Sequence, residues 1–502
     1  MLVSPARLCA AALAIIALAI SATQLERWRD GLVIDRVTIG TTPATVYRKV
    51  GAPAAPVVVI AHGFAGSRQL MEAFSLTLAQ SGYVAVAFDF EGHGRNPVSM
   101  SGDVTSVEGT TRLLMAEIGR VTDWALAEPY ADGRVALLGH SMASDIVVRQ
   151  AIADPRVSAT LAISMFSEAV SETEPRNLLV VAGAWEGFLR DEALRAVHLV
   201  DARATEQQTV GSFADGTARR AVAAPSVEHV GVLYSATTLR EVRDWLDQLY
   251  ARPSDGAPVA AIGGWIVMGL AAIVLLAWPL AALLPKPEHV REHKQTPVPR
   301  GALLAAVSIP TVATPLILSL FETRLLPVLV ADYLAVHLAL YGILVLAVLA
   351  WFGVRLRSGG LFAGLALAAY GIFVFGGFLD RYAVSFVPHA GRLPIIAAIA
   401  FGAVATMTAD AMLSDAGRAP LWRTLAARAA FLISLMIAVA LDFERLFFLL
   451  MILPIVIIFY LIFGLMGGWV GRRTGAPLAA GVGMGLTLAW AIGVSFPLFA
   501  VG

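Results

Sequence analysis

The sequence predicts two domains of different class: an α/β domain built on a mostly parallel sheet, and after it an all-α domain of multiple membrane spans. Three observations carry this expectation. The 502-residue chain is 58% hydrophobic and only 15% charged, more apolar than one water-soluble globule tolerates. The apolar content is uneven: from about Leu25 to Asp255 charged and apolar residues are mixed, whereas from Pro258 onward apolar runs of about 20 residues alternate with short charged loops. Within the mixed part, short strand-like runs alternate with helical ones, as in sheets covered on both faces.

The opening MLVSPARLCAAALAIIALAISATQLERWR has one early arginine and then an apolar run from Leu8 to about Ala22. It reads as an uncleaved anchor ending at the interfacial Trp28, with a signal peptide as the alternative. Residues 1–25 are assigned to this segment, 26–256 to the α/β domain and 257–502 to the transmembrane domain. Eight spans are expected there, at about 258–284, 301–320, 330–352, 359–379, 393–413, 424–441, 446–468 and 476–500.

Every second loop is basic: Lys286, Arg291, Lys294 and Arg300, then Arg355 and Arg357, then Arg418, Arg423 and Arg428, and finally Arg472 and Arg473. The alternate loops hold only Arg324, Arg381, Arg392 and Arg445, with Glu322, Asp332, Asp380, Asp442 and Glu444. Eleven against four orients the basic loops to the cytoplasm and the α/β domain away from it. The DFER interruption of the run from Ala429 to Gly468 is read as a hairpin, since charges at mid-bilayer are costly. His337 and Asp410, with Thr406 and Thr408 near the latter, are assigned structural or snorkelling roles. No repeat or ion-site pattern identifies a transporter.

In the α/β part, LVIDRVTI and ATVYRKV form an opening hairpin. PVVVIAHG, a helix near Arg68 to Gln80, YVAVAFDF, a helix near Thr110 to Ala127 and RVALLGH follow. A helix after Ser141, VSATLAIS, NLLVVAGAW, a helix near Asp191 to Val200, RRAVAAP and the helix SATTLREVRDWLDQLY complete the series. Ligands of such sheets bind beyond the carboxyl ends of the strands.

Four stretches in order, AHGFAGS, DFEGHGRN, GHSMAS and the late EHVGV, resemble the α/β-hydrolase superfamily in its serine esterase, lipase and dienelactone hydrolase-like range. The resemblance covers roughly residues 32–250 and not the membrane half. One departure is visible, since Ala143 stands where the G-x-S-x-G signature has its last glycine. The resemblance implies a strand-to-helix elbow with Ser141 as nucleophile, where an isolated serine would only cap a helix.

Of the nine histidines, His62, His93 and His140 belong to turns or the elbow, His289 and His293 to a basic loop, and His337 and His389 to the membrane half. His198 lies in a helical pattern. His229 follows the last strand, where the resemblance requires the base. The acid falls between Ser141 and His229 in chain order: Glu186, at the end of NLLVVAGAWEG, fits best, with Asp191 and Glu168 as alternatives. By resemblance the oxyanion donors are the backbone N–H groups of Phe64 and Met142. The EGHGRN turn is architectural, with Arg95 bracing loops. The short connection from Ser164 to Asn177 leaves little room for a lid.

The expected activity is therefore hydrolysis of an ester, of the EC 3.1.1 type, on a lipid or acyl-bearing substrate through an acyl-enzyme, at an extracytoplasmic site of a bacterial inner membrane protein. Two alternatives stay open: an acyltransferase using the same triad, and a hydrolase-like domain that binds without catalysing, attached to a transporter or assembly protein. No metal or organic cofactor is implied. Zero net charge without basic tracts argues against nucleic acid, and a single cysteine, Cys9, excludes an internal disulfide.

Overall fold

Val57, Val58, Val59 and Ile60 are apolar without alternation, and in the computed structural model all four are at most 1% exposed. Such a strand has a covered layer on each face, and each of these side chains contributes roughly 1.5–3 kcal/mol by its burial. The structure describes residues 4–500 except 102, 104–106, 253–256, 288–297, 322, 324–325, 329–330 and 358. Arg291, Lys294, Glu322 and Arg324 of the loop count, His289, His293 and the assigned boundaries at 256 and 502 lie outside the described residues.

The sheet contains β1 (Leu32–Ile39), β2 (Thr42–Lys49), β3 (Ala55–Ala61), β4 (Val84–Phe88), β5 (Ala131–His140), β6 (Val157–Ile163), β7 (Leu178–Gly183), β8 (Thr209–Val210) and β9 (Arg219–Ala224). Their spatial order is β1-β2-β4-β3-β5-β6-β7-β9-β8. The run from β4 to β9 is parallel, while the β1–β2, β2–β4 and β8–β9 pairs are antiparallel. The two-residue β8 is an edge the sequence reading did not anticipate.

The helix α1 (Pro5–Arg27) precedes the sheet; α2 (Glu72–Gln80), α3 (Arg112–Ala127), α4 (Met142–Ala153), α5 (Gly187–His198) and α6 (Ala236–Leu249) connect or follow its strands. α2 packs on β2, β4 and α6, whereas α3 and α4 pack together against β5. α5 begins four residues before the expected start, immediately after Glu186. The 164–177 connection contains no helix.

Beyond the sheet lie α7 (Gly263–Ala281), α8 (Arg300–Leu318), α9 (Ala331–Trp351), α10 (Leu361–Tyr382), α11 (Leu393–Leu413), α12 (Leu421–Leu441), α13 (Leu449–Thr474) and α14 (Pro477–Ser495). With α1, nine helices among the described residues are long and apolar enough to cross a membrane. α11 is held between α9 and α14 by glycines: a Cβ on Gly342 or Gly402 would meet backbone across the α9–α11 contact, and one on Gly481 or Gly485 across the α11–α14 contact, all within 2.6 Å. Close approach through small residues is how helices associate in lipid.

Three expectations are corrected here. Arg428 is not a loop residue: it lies in α12, where its Nε is 3.2 Å from Asp410 Oδ1 of α11, a structural pairing, which is one of the two roles expected for the aspartate. The DFER stretch is a hairpin, yet α12 starts at Leu421, so Arg423 also belongs to the helix. The eighth span was expected to run to residue 500, but α14 stops at Ser495, because Pro497 has no N–H to continue it.

The described residues divide into two compact units. One comprises residues through Ala19, Gly269–Phe378 and Phe386–Phe496. The other comprises Ile20–Met268, Leu379–Ser385 and Pro497 onward, so the sheet domain includes two short segments distant in sequence.

Candidate active site

Gly139 and Ser141 form the sharp end of β5. Ser141 has φ 55° and ψ −119°, a region that costs of order 1–3 kcal/mol for a residue with a side chain. The strain is held by neighbours: Ser141 N–H donates to Ile163 O at 2.9 Å, and its carbonyl accepts from Ser144 N–H at 2.8 Å and Ser144 Oγ at 2.6 Å. A Cβ on Gly139 would lie 2.4 Å from Ala143 O, so this glycine cannot be replaced without shifting the elbow. Ala143 itself is buried on α4. The departure from the G-x-S-x-G signature is therefore accommodated on the helix side, and the strand side carries the close approach.

Three residues expected to act together are hydrogen-bonded in series. Ser141 Oγ is 2.8 Å from His229 Nε2, and His229 Nδ1 is 2.5 Å from Glu186 Oε1. Glu186 immediately precedes α5 just beyond β7, and its second oxygen accepts from Gly183 N–H at 2.6 Å and Ser164 Oγ at 2.7 Å. Burial pushes this carboxyl up, but the bonds from His229, Gly183 and Ser164 outweigh it and hold the group below the ordinary carboxylate value. Asp191 and Glu168 are both exposed and make no hydrogen bond to His229 among the described residues.

Two supports were not found in the sequence. Ser164, at φ 52°, turns the end of β6 so that its hydroxyl reaches Glu186. His140 donates from Nε2 to His229 O at 2.9 Å, fixing the backbone of the loop that carries His229. Burial and the neighbouring His229 push His140 down to about 3, so it stays neutral. The only available sequence signal was that His140 precedes the serine.

The Phe64 turn abuts the elbow: a Cβ on Gly63 would lie 3.0 Å from Ser141 Cβ. Buried His62 is neutral, with Nδ1–H donating to Gly63 O at 2.8 Å and Nε2 accepting from Phe90 N–H at 3.1 Å. Met142 opens α4 on the other side of Ser141. Arg95 does brace loops, through its N–H to Asp89 at 3.0 Å and its guanidinium to Asp380 at 2.5 Å.

The serine opens on a cleft of about 520 Å³ lined by Met142, Asp145, Arg149, Phe166, Ser167, Glu168, Leu189 and His229. Exposed apolar residues flank the bonded series: Phe166 after Ser164, Trp185 and Phe188 around Glu186, and Val230 after His229. Among the described residues no cluster of three or more His, Cys, Asp or Glu could hold a metal ion.

Residues 52–203, from the end of the opening hairpin past α5, match the family model for serine aminopeptidase S33 (Hydrolase_4). The N-terminal half carries an α/β-hydrolase domain. The quorum-quenching protein AidA of Acinetobacter baumannii is 28% identical over 142 residues, 27% of this chain and 43% of that protein, so the chain spans less than half of the curated relative's length. Among solved structures, a dienelactone hydrolase from Anabaena variabilis is 16% identical, with coverage of 44% of this chain and 98% of its own and a TM-score of 0.32. A protein from Thermoplasma acidophilum described as a predicted CIB-like hydrolase is 15% identical over 43% of this chain and 99% of its own, with a TM-score of 0.33.

Proposed function

We propose that this α/β-hydrolase domain is a serine esterase acting on lipid or acyl-bearing esters. One observation carries the reading: the Glu186–His229–Ser141 series, bonded at 2.5 and 2.8 Å, ends on a serine held at positive φ at the mouth of a cleft. Ser141 Oγ attacks the ester carbonyl while His229 Nε2 takes its proton, and Glu186 stabilises the resulting imidazolium. The oxyanion is received by the N–H groups of Phe64 and Met142. His229 then protonates the departing alcohol, leaving an acyl-enzyme. Water attacks this intermediate, giving its proton to His229, and the carboxylic acid leaves as Ser141 regains its hydrogen.

The exposed apolar side chains next to Glu186 and His229, with Phe166 lining the cleft, favour an acyl substrate over a polar one, because a buried hydrocarbon chain gains about 0.8 kcal/mol per methylene. A fluorophosphonate probe applied to the full chain is expected to label Ser141 and to leave Ser141→Ala unlabelled. Labelling that persists in Ser141→Ala would exclude the assignment, and product analysis with added alcohol separates hydrolysis from acyl transfer.

The loop charges support a domain outside the cytoplasm, with Lys286, Arg300, Arg355, Arg357, Arg418, Arg472 and Arg473 on one set of loops against Arg381, Arg392 and Arg445 on the other. A cysteine introduced at exposed Asp191 should react with an impermeant maleimide in intact spheroplasts. Reaction only after lysis would invert the topology.

A further inference from the structure

The hydrolase unit includes Leu379–Ser385 and the segment from Pro497, both from the membrane half of the sequence. They are attached to the Phe64 turn and to the loop beside it. Ser385 N–H donates to the buried Ser67 Oγ at 3.0 Å, and Asp380 pairs with Arg95 at 2.5 Å. Leu498 N–H donates to Gly92 O at 2.9 Å, Met100 N–H to Leu498 O at 2.8 Å and Ala500 N–H to Met100 O at 2.7 Å, around an isolated parallel bridge between Met100 and Phe499. Gly92, at φ +76°, has no room for a side chain because its Cβ would lie 2.5 Å from Leu498 O.

The two loops so held, 63–67 and 89–96, are also locked to each other. Arg68 N–H donates to Asp89 Oδ1 at 2.8 Å and its guanidinium bonds Asp89 Oδ2, which also accepts from Arg95 N–H at 3.0 Å. Phe90 N–H binds His62, and the rings of Phe64 and His93 meet edge to face at 5.8 Å. These bonds link Arg95 and the loop that carries Gly92, through Asp89 and His62, to the turn that abuts Ser141.

We propose that Asp380, Ser385 and residues 498–500 are positioning elements for the oxyanion donor at Phe64, so that the hydrolase becomes catalytically complete only when these segments are docked. The proposal rests on the esterase reading. Its physical basis is that oxyanion donors act only when fixed about 2.7–3.1 Å from the developing charge. A misplacement of about 1 Å by a remote change costs up to about 10²-fold.

The test uses the full chain, a small activated acetyl ester and active sites counted by the endpoint of fluorophosphonate labelling. Asp380→Ala, and separately removal of everything after Phe496, should each lower kcat per titrated site about tenfold. KM should stay within about twofold, because ground-state binding is untouched. The pH profile should keep its shape, since the His229–Glu186 bond is not involved. Exchanging the pair, Arg95→Asp with Asp380→Arg, should recover most of the loss, which a merely unfolded loop would not allow. An unchanged kcat per site in both the Asp380→Ala and truncated proteins, or losses confined to KM, would overturn the proposal alone. Turnover surviving Ser141→Ala would overturn the esterase reading and this proposal with it.

Discussion

The two sides of Ser141 are built differently. On the acid–base side, the side-chain supports of Glu186 and His229 among the described residues come from the stretch from β5 to the loop after β9: Gly183, Ser164 and His140. On the oxyanion side, the turns after β3 and β4 are bound by Ser385, Asp380 and Leu498, some 300 to 400 residues further along the chain. The bonds of the first side join the ends of neighbouring strands and span at most 89 residues of sequence. The second depends on non-local contacts, which carry a larger ordering cost before they contribute. On the proposed assignment, proton transfer and charge stabilisation would be separately adjustable.

The largest expected effects break the acid–base side. Ser141→Ala and His229→Ala should each lower turnover by on the order of 10⁶, and Glu186→Gln by roughly 10⁴, since nucleophile and base act as a unit and the acid orients them. Single-turnover and steady-state kinetics on one soluble ester measure all three. Near-normal activity in His229→Ala would remove it from the mechanism, and a silent Glu186→Gln would remove the acid. Against these, the tenfold effects expected on the oxyanion side are small, and a ranking in the opposite order would reverse the comparison.

The same asymmetry decided what the sequence could tell. The strands from β3 to β9 were legible because continuous apolar runs admit few readings, whereas Ser141, Glu186 and His229 were picked out by the resemblance of the AHGFAGS, DFEGHGRN, GHSMAS and EHVGV stretches to the α/β-hydrolase superfamily, which implies the chain order of nucleophile, acid and base. Ser164 and His140 were not, because one acts through a positive φ and the other through a backbone carbonyl, neither of which has a residue signature. The segment after α14 shows the limit most plainly. Leu498 and Phe499 are apolar and were read as the end of a span. They are buried, at 5% and 7% exposed, but within the hydrolase unit. Hydropathy reports that a side chain leaves water and not which apolar environment receives it. Pro497 was the local sign that the helix could not reach them. Asp380 carried no sign at all, since its partner Arg95 is fixed by the tertiary fold.

The smallest effect sharpens the comparison through pH, because each side holds one perturbed carboxyl and their shifts have opposite sign. Glu117, on α3, is buried beneath the oxyanion side and accepts from Thr42 Oγ1 at 2.6 Å, Glu91 N–H at 2.9 Å and Asn96 Nδ2 at 3.0 Å. Burial pushes it up to about 7. Its folded value exceeds its unfolded one, so the stability it contributes is complete below the ordinary glutamate range and is lost as pH rises through about 7. The whole excursion is worth roughly 3 kcal/mol. Glu186 is held low, so its contribution is present above the ordinary range and is lost only as pH falls below it. Thermal midpoints of the full protein should therefore decline between about pH 5 and 8 and decline again on acidification below about pH 4. Glu117→Gln should flatten the first decline and leave the second, whereas Glu186→Gln should do the reverse. A Glu117→Gln protein whose midpoint still falls between pH 5 and 8 as in the wild type would show that another group governs that limb, and that the oxyanion side is not where neutral-pH sensitivity resides.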